Sequence, residues 1–351
     1  GILSRRLKMK RTVLIDILYR IKRISVAVIG DFALDRYFIF DTALNELSLE
    51  TGLTAYQVTE TQKFPGASGS VAKNLSVMGV GTVYAVGFGG LDGAGADLKE
   101  ELDLLNINDK YMVRSKKLVT PQYIKTVKSE NGVRTESNRF DIKNFKPVPS
   151  ESEQELMNKL PEIFRNNDCI IVLDQMTEEN CGVVTQRVRE RLVSLAKENE
   201  DKIVLADSRC RIKLFDHMIV KCNHLEACRA FYPDVDSPSR ETVLECGEKL
   251  YEKNRKPVFI TLGSEGMLTF SADGIYSIPT IQVPPPIDIV GAGDSVTAAV
   301  ASALTVGASV KDAGLLGNMT ASVTIRQIGT TGAATPEQII EAYDKHFKEI
   351  I

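Results

Sequence analysis

The chain has no Cys-x-x-Cys pair among its six cysteines, Cys169, Cys181, Cys210, Cys222, Cys228 and Cys246. Dispersed thiols of this kind fit reduced cysteines better than a disulfide frame. His217, Cys222, His224 and Cys228 crowd together, but their spacing matches no standard zinc pattern, so buried thiols and surface imidazoles describe them better. No uninterrupted apolar run approaches the roughly 20 residues that cross a bilayer. No cleavable leader is expected either: Arg5, Arg6, Lys8, Lys10 and Arg11 are followed by a mixed, helix-like stretch over 12–22 without a cleavage site. A cytoplasmic protein with no membrane partner is expected. Neither sign of charge dominates, since 43 Lys and Arg stand against 46 Asp and Glu for a formal charge of -3. That balance gives no reason to expect nucleic acid and favours a small-molecule partner. Two nucleotide signatures are absent as well. Gly30-Asp31-Phe32-Ala33 lacks the G-x-G-x-x-G of a dinucleotide-binding dehydrogenase, and no segment reads G-x-x-x-x-G-K-[ST] as a P-loop ATPase requires.

What is present is an alternation of short β-branched runs with longer segments of helical period. With 351 residues, 43% hydrophobic and 25% charged, the chain has the composition of a globular protein with a sizeable core. Strands are expected over 25–29, 82–87, 169–173, 203–206, 218–220 and 258–262, and helices over 71–78, 97–105, 151–164, 179–198, 240–253, 294–304 and 311–326. Such an order builds an α/β fold, a mainly parallel sheet covered by helices on both faces. Two stretches break the rhythm, 36–60 and 111–141, the latter with an Asn131-Gly132 turn; both read as alternating strands that need a place outside the main sheet. A small accessory sheet, usable as a lid, would take them. A hairpin over 266–282 with Asp273-Gly274 at its tip precedes the stiff run Pro284-Pro285-Pro286. With no internal repeat and no low-complexity linker, one catalytic domain over 1–351 is expected, with lid segments at about 36–62 and 111–142.

The most informative segment is Asp288-Ile289-Val290-Gly291-Ala292-Gly293-Asp294-Ser295, directly before the small, apolar helix 296–304. Glycines at a helix start let backbone amides converge on phosphate oxygens, and the helix dipole adds to the attraction. An aspartate on the rim of that anion hole can take a proton from a hydroxyl during phosphoryl transfer. The same residues also read as an ordinary capped helix start with Asp294 in its first turn, and the residues alone leave both readings open. The segment resembles the C-terminal signature of the ribokinase-like (PfkB) carbohydrate kinase family, whose Gly-Ala-Gly-Asp ends in the catalytic base. That resemblance assigns Asp294 as general base and Gly291, Ala292 and Gly293 as the anion hole. Ile289 stands where the family usually has Thr, outside the Gly-Ala-Gly-Asp core.

The likeness runs from Val26 to Ile340. Gly30-Asp31-Phe32-Ala33-Leu34-Asp35-Arg36-Tyr37 is similar to the opening of the heptose-7-phosphate kinase branch, where the acid after the first strand binds sugar hydroxyls; Asp31 is the matching residue, with Asp35 second. Pro65 to Asn74 occupies the place of the family's N-terminal glycine motif and implies substrate contacts at Gly66, Ala67, Ser70 and Asn74. Two positions depart from it: Ala67 replaces the second Gly, and Ser70 replaces the Asn that usually meets the sugar, so the acceptor pocket is expected to differ from a typical member's. Lys221 and Asn223-His224-Leu225-Glu226 look like the Asn-x-x-Glu motif of the nucleotide and magnesium region, although Asn223 and Glu226 also fit a capping box. Thr261, Gly263 and Gly266 resemble the loop along the ATP phosphates, Asn318 lies where relatives contact adenine, and the resemblance makes Asp288 a ligand for a monovalent cation, K⁺. In the lid strands, Lys125 and Arg139 resemble the pair that closes over a phosphorylated acceptor, a solvated strand face being the alternative.

Together these imply a ribokinase-like fold with a small β-sheet lid. The expected activity is ATP- and Mg²⁺-dependent phosphorylation of a hydroxyl of a sugar or sugar phosphate. A nucleoside kinase of the same family, or a catalytically idle sugar- or nucleotide-binding protein on this scaffold, are the alternatives. An exposed lid edge invites a second copy, so a homodimer through the lid is expected.

Overall fold

The computed structural model describes residues 2–3 and 7–348; Arg5 and Arg6 of the basic N-terminal cluster lie outside the described residues. In chain order the strands that build the molecule are β1 (Ser25–Gly30), β2 (Phe32–Asp41), β3 (Val58–Ala67), β4 (Thr82–Val86), β5 (Gln122–Glu130), β6 (Val133–Ile142), β7 (Cys169–Asp174), β8 (Ile203–Ser208), β9 (Ile219–Asn223), β10 (Val258–Thr261), β11 (Met267–Ser271) and β12 (Gly274–Ile278). The helices are α1 (Arg11–Arg20), α2 (Ser68–Met78), α3 (Gly93–Leu104), α4 (Ser150–Asn166), α5 (Gln186–Glu198), α6 (His224–Arg229), α7 (Arg240–Asn254), α8 (Ala292–Thr305), α9 (Val310–Thr324) and α10 (Pro336–Lys348).

Sheet order is β12-β11-β10-β9-β8-β7-β1-β4, extended by the two-residue strands Ile2–Leu3 beside β12 and Ile107–Asn108 beside β4. From β10 to β4 every neighbour is parallel, and β11 runs antiparallel to both of its neighbours. The central strands are apolar throughout because both of their faces are covered. In β7, Cys169, Ile171 and Leu173 join the core beneath α1, α2, α8 and α9, while Ile170 and Val172 join the opposite core beneath α4 and α5. A third cluster, with Val220, Ile260 and Leu268, packs under α6 and α7. Helix α8 is buried from Ser295 to Leu304, and its Ala and Ser side chains let it lie between sheet and neighbours. Its contact with α9 is tight enough that a methyl on Gly317 would stand 3.2 Å from Val296 and Val300.

A second sheet of four strands, in the order β6-β5-β2-β3, stands apart from the first. It takes up most of the two stretches that broke the α/β rhythm; Val113–Ser115 pairs instead with Phe88–Gly90, and Glu46–Leu47 with Thr54–Ala55, in two-stranded sheets of their own. The chain leaves the main sheet through Asp31 alone, the single residue between β1 and β2, and returns where β3 runs directly into α2 at Ser68. The Ser68 amide donates to the Asp31 carbonyl (2.9 Å) and closes that junction. Arg36 on β2 and Lys63 on β3 both reach Asp97 of α3, at 2.7 and 3.2 Å, which braces the small sheet on the large one.

One expected helix begins late. The stretch 179–198 is helical only from Gln186, because Asn180 sits at φ 60° and the Val183 amide turns away to donate to the Asp31 carboxylate at 2.8 Å. Thr185 then caps α5 by accepting from the Val188 amide.

Candidate active site

At the C-terminal ends of β1, β7 and β8, beneath β2 and β5, lies a cleft of about 400 Å³. Ligands of open α/β sheets bind at this end of the strands. Three carboxylates line the cleft, Asp31 from the β1–β2 junction, Asp35 from β2 and Asp294 from the first turn of α8. Three cations line it too: Lys125 on β5, Arg139 on β6 and Arg209 just past β8.

Asp294 is half-buried at the cleft. Burial pushes its carboxyl up to about 6, against the lowering pull of Lys221 and the Ser70 hydroxyl and with added repulsion from Asp207 and Asp35. The turn before it is shaped by Gly291, the helix cap at φ 82°, where a Cβ would meet Thr331 Cγ2 at 2.3 Å. Any side chain there is excluded twice, by backbone conformation and by contact. The Ala292 and Asp294 amides close the turn onto Ile289 and Gly291. The Gly291 and Gly293 amides take no backbone partner among the described residues, which leaves them free for an anion.

Asp31 accepts the Val183 amide, and its carboxyl also rises to about 6, first through burial and then through the nearby charge of Asp174. Burial likewise raises Asp35, partly offset by Lys125 and Arg139. A Cβ on Gly66 would stand 2.4 Å from Asp35 Oδ1, so this glycine makes room for the carboxylate instead of lining the cleft. Lys125 lies over the Tyr37 ring and Arg139 over the Tyr123 ring, while Arg139 also pairs with Asp141 at 2.7 Å.

Several residues expected in the site are placed elsewhere. Asn74 is buried in α2, its amide donating to the Ser70 carbonyl (2.9 Å), and it does not line the cleft. Ser70 lies below the cleft, its buried hydroxyl near enough to Asp294 to favour the charged carboxylate. Lys221 is buried. Its ammonium pairs with Asp207 (3.0 Å) and donates to the Gly293 carbonyl (3.1 Å), joining β8, β9 and the α8 turn. Burial, the largest influence, works against its charge, but Asp207 together with Asp294 and Glu226 holds the ammonium above its ordinary range. Removing one partner of such a buried pair strands the other. Lys221→Met is therefore expected to cost about 3–5 kcal/mol of unfolding free energy, read from urea melts; a loss within error of zero would contradict the pairing.

On the far side of Lys221, Asn223 and Glu226 form a full capping box, each side chain accepting the other's amide at 2.8 Å. Burial and then Asp207 raise the Glu226 carboxyl to about 7. Gly263 and Gly266 both sit at positive φ in the turn after β10, and Thr261 ends that strand. The Asn318 amide donates to the Ile278 and Pro279 carbonyls and pins the end of β12, which occupies both of its donors. Asp288 accepts from the Val290 and Gly329 amides, so it clasps two loops together.

The sequence reading missed Arg209, Asp207 and Tyr123, and the wall made by Gln175 and Met176. For all but Tyr123, which lies on β5, their position just after the strands 203–206 and 169–173 was the available signal. That wall is held by Arg211, which donates to the Met176 and Thr177 carbonyls, and by Asp174, which accepts from Ser208 at 2.8 Å.

A mainly parallel sheet with an antiparallel edge hairpin, a four-stranded second sheet over the strand ends and a glycine turn opening a buried helix together make a ribokinase-like fold. The chain belongs to the pfkB family of carbohydrate kinases, whose family profile matches residues 24–338. It is thus a phosphotransferase acting on a sugar hydroxyl. The bifunctional protein HldE of Wolinella succinogenes is 28% identical over 318 residues, covering 90% of this chain and 64% of that protein. The same-named protein of Bradyrhizobium is 23% identical over 92% of this chain, again covering 64% of its own length. The chain therefore spans less than two thirds of these relatives. Among solved structures, Arabidopsis thaliana ribokinase complexed with ribose and ATP superposes with a TM-score of 0.66 at 18% identity, covering 91% of this chain and 98% of that one. Escherichia coli phosphofructokinase-2 in complex with potassium gives 0.69 at 16%, covering 92% and 98%.

Proposed function

We propose that the protein transfers the γ-phosphoryl group of ATP to a hydroxyl of a sugar phosphate, with Asp294 as the base. The observation that carries this reading is the pairing of charges in one cleft: Lys125, Arg139 and Arg209 together with Asp31, Asp35 and Asp294. Carboxylates suit the hydroxyls of a polyol, and a cluster of two guanidinium groups and an ammonium suits a phosphate already on the acceptor. A nucleoside or an unphosphorylated sugar leaves Lys125 and Arg209 with no ion pair among the described residues, Arg139 being already paired with Asp141. An idle binding protein has no use for a carboxylate beside free helix-start amides.

In the reaction Asp294 takes the acceptor proton as the oxygen attacks the γ-phosphorus and the bond to ADP breaks. The Gly291 and Gly293 amides offset charge on the transferring group. Among the described residues no group of three or more His, Cys, Asp or Glu side chains is placed to hold a metal ion directly. Mg²⁺ keeps much of its water and binds through one or two carboxylates and the phosphates of a nucleotide, so it needs no such group. Glu226 and Asn223, with Asp207 behind them, are the oxygen donors that would order its waters. Asp288, with both carboxylate oxygens on backbone amides, offers less to a potassium ion.

The small sheet would act as lid, supplying Lys125 and Arg139 to the acceptor. It would also carry the contact between two copies. Leu47, Leu49, Leu53 and Tyr56 are exposed around its tip, and β6 has a free edge with Val133 and Phe140 exposed. Light scattering is expected to give twice the chain mass of 38.7 kDa. The double variant L47D/L49D should give the single mass. A monomeric wild type would remove the dimer.

Binding tests the acceptor class. In thermal-shift experiments without nucleotide, five- to seven-carbon sugar phosphates should raise the melting temperature while their free sugars leave it unchanged. The reverse order would favour a plain sugar kinase.

A further inference from the structure

Ala67 is the last residue of β3 and the N-cap of α2, and its backbone lies at φ 52°, ψ -121°. This is the first corner position of a type II′ turn, a conformation that glycine adopts freely and that a Cβ disfavours. Both flanks hold it there. On one side Ala67 pairs with Phe32 in the β2–β3 ladder, and on the other the Ser68 amide is bonded to the Asp31 carbonyl. The neighbouring Gly66 cannot relieve the corner, because its Cα stands against the Asp35 carboxylate. The strained residue also lines the same cleft as Asp35 and Asp294. Strain of this kind persists where the surroundings over-determine it, and it gathers at ligand-binding positions.

We propose that the Ala67 methyl is a specificity-determining contact, a steric stop on the cleft wall that limits the size of the acceptor beside Asp294; this rests on the sugar-phosphate reading above. Glycine would satisfy the backbone and lose the stop. The buried Ser70 hydroxyl, one turn further along α2, fills less space beneath the wall than a longer side chain would, so the methyl is the feature that sets the floor's height. A single methyl group in a pocket changes selectivity by about 10-fold or more.

Ala67→Gly separates the two properties. Its melting temperature is expected to rise by about 2 °C, since the corner no longer carries a Cβ. Isothermal titration calorimetry without nucleotide, using ribose 5-phosphate, fructose 6-phosphate and sedoheptulose 7-phosphate, should show the ratio of dissociation constants moving about 10-fold toward the larger probes. Unchanged ratios alongside binding by the wild type would overturn the role of the methyl and leave the sugar-phosphate reading standing. A fall in melting temperature would overturn the strain on which the proposal depends. Binding of none of the three probes by the wild type would remove the sugar-phosphate reading and this inference with it.

Discussion

Asp294→Asn is expected to reduce kcat by about 10³-fold or more while leaving ATP affinity within about a factor of two, because the amide keeps the shape of the α8 turn and loses only the base. Steady-state kinetics and nucleotide titration check both halves. A variant with near-normal kcat would end the assignment. The wild-type rate should depend on pH through the same group. With its carboxyl at about 6, Asp294 is protonated and inactive in acid, so kcat/KM should fall with unit slope as pH drops below 6. Stability should move the other way. Asp31 and Asp294 at about 6 and Glu226 at about 7 bind protons more tightly folded than unfolded, so their contribution is full below the ordinary carboxyl range and is lost as pH rises through 6 to 7. The protein should melt higher at pH 5 than at pH 8, although it works better at pH 8. An activity profile flat from pH 5 to 8 would separate Asp294 from the rate.

The second large effect is expected from the cations. Arg209 and Lys125 approach the cleft from different sheets, one beyond β8 and one on β5, so a phosphate held between them ties lid to floor. A charge-assisted hydrogen bond to phosphate contributes about 1.5–3 kcal/mol, so R209A and K125A should each raise KM for a sugar phosphate by about 10- to 100-fold. The double variant should lose more than either. KM for ATP should stay near its wild-type value. Equal losses on ATP and acceptor would move these residues to the nucleotide side. The Arg139–Asp141 ion pair predicts a gentler outcome at the third cation, because Asp141 already competes for that guanidinium.

Much of this site was legible in the order of residues. The strands that end at Gly30, Asp174 and Ser208 stand out because runs such as Cys169-Ile170-Ile171-Val172-Leu173 must be apolar on both faces of a covered sheet. Gly291 and Asp294 stood out through the resemblance of their segment to a family signature, since the residues alone fit an ordinary capped helix start equally well. The second sheet was visible as strands without a place in the first. What was not legible came from contacts between distant parts of the chain. Nothing local joins Lys221 to Gly293, 72 positions away, or shows that its charge is taken up by Asp207. The late start of α5 was set by one hydrogen bond from Val183 to Asp31, 152 residues back, which overrode a helical pattern. Asn74 and Asn318 matched positions of relatives, yet Asn318 gives both amide protons to backbone and Asn74 gives one to the Ser70 carbonyl, its Oδ1 unpartnered among the described residues. Helix α10 was readable and passed over: Thr335 and Gln338 cap each other directly around Pro336.

One cleft is expected to bring an anionic acceptor, its hydroxyl and Asp294 together. The most direct measurement is the rate of ADP release from ATP with matched pairs of phosphorylated and free sugars at saturating Mg²⁺. Turnover with at least one sugar phosphate, at least 100-fold faster than with its free sugar, is the predicted result. Turnover confined to free sugars or nucleosides would contradict the account.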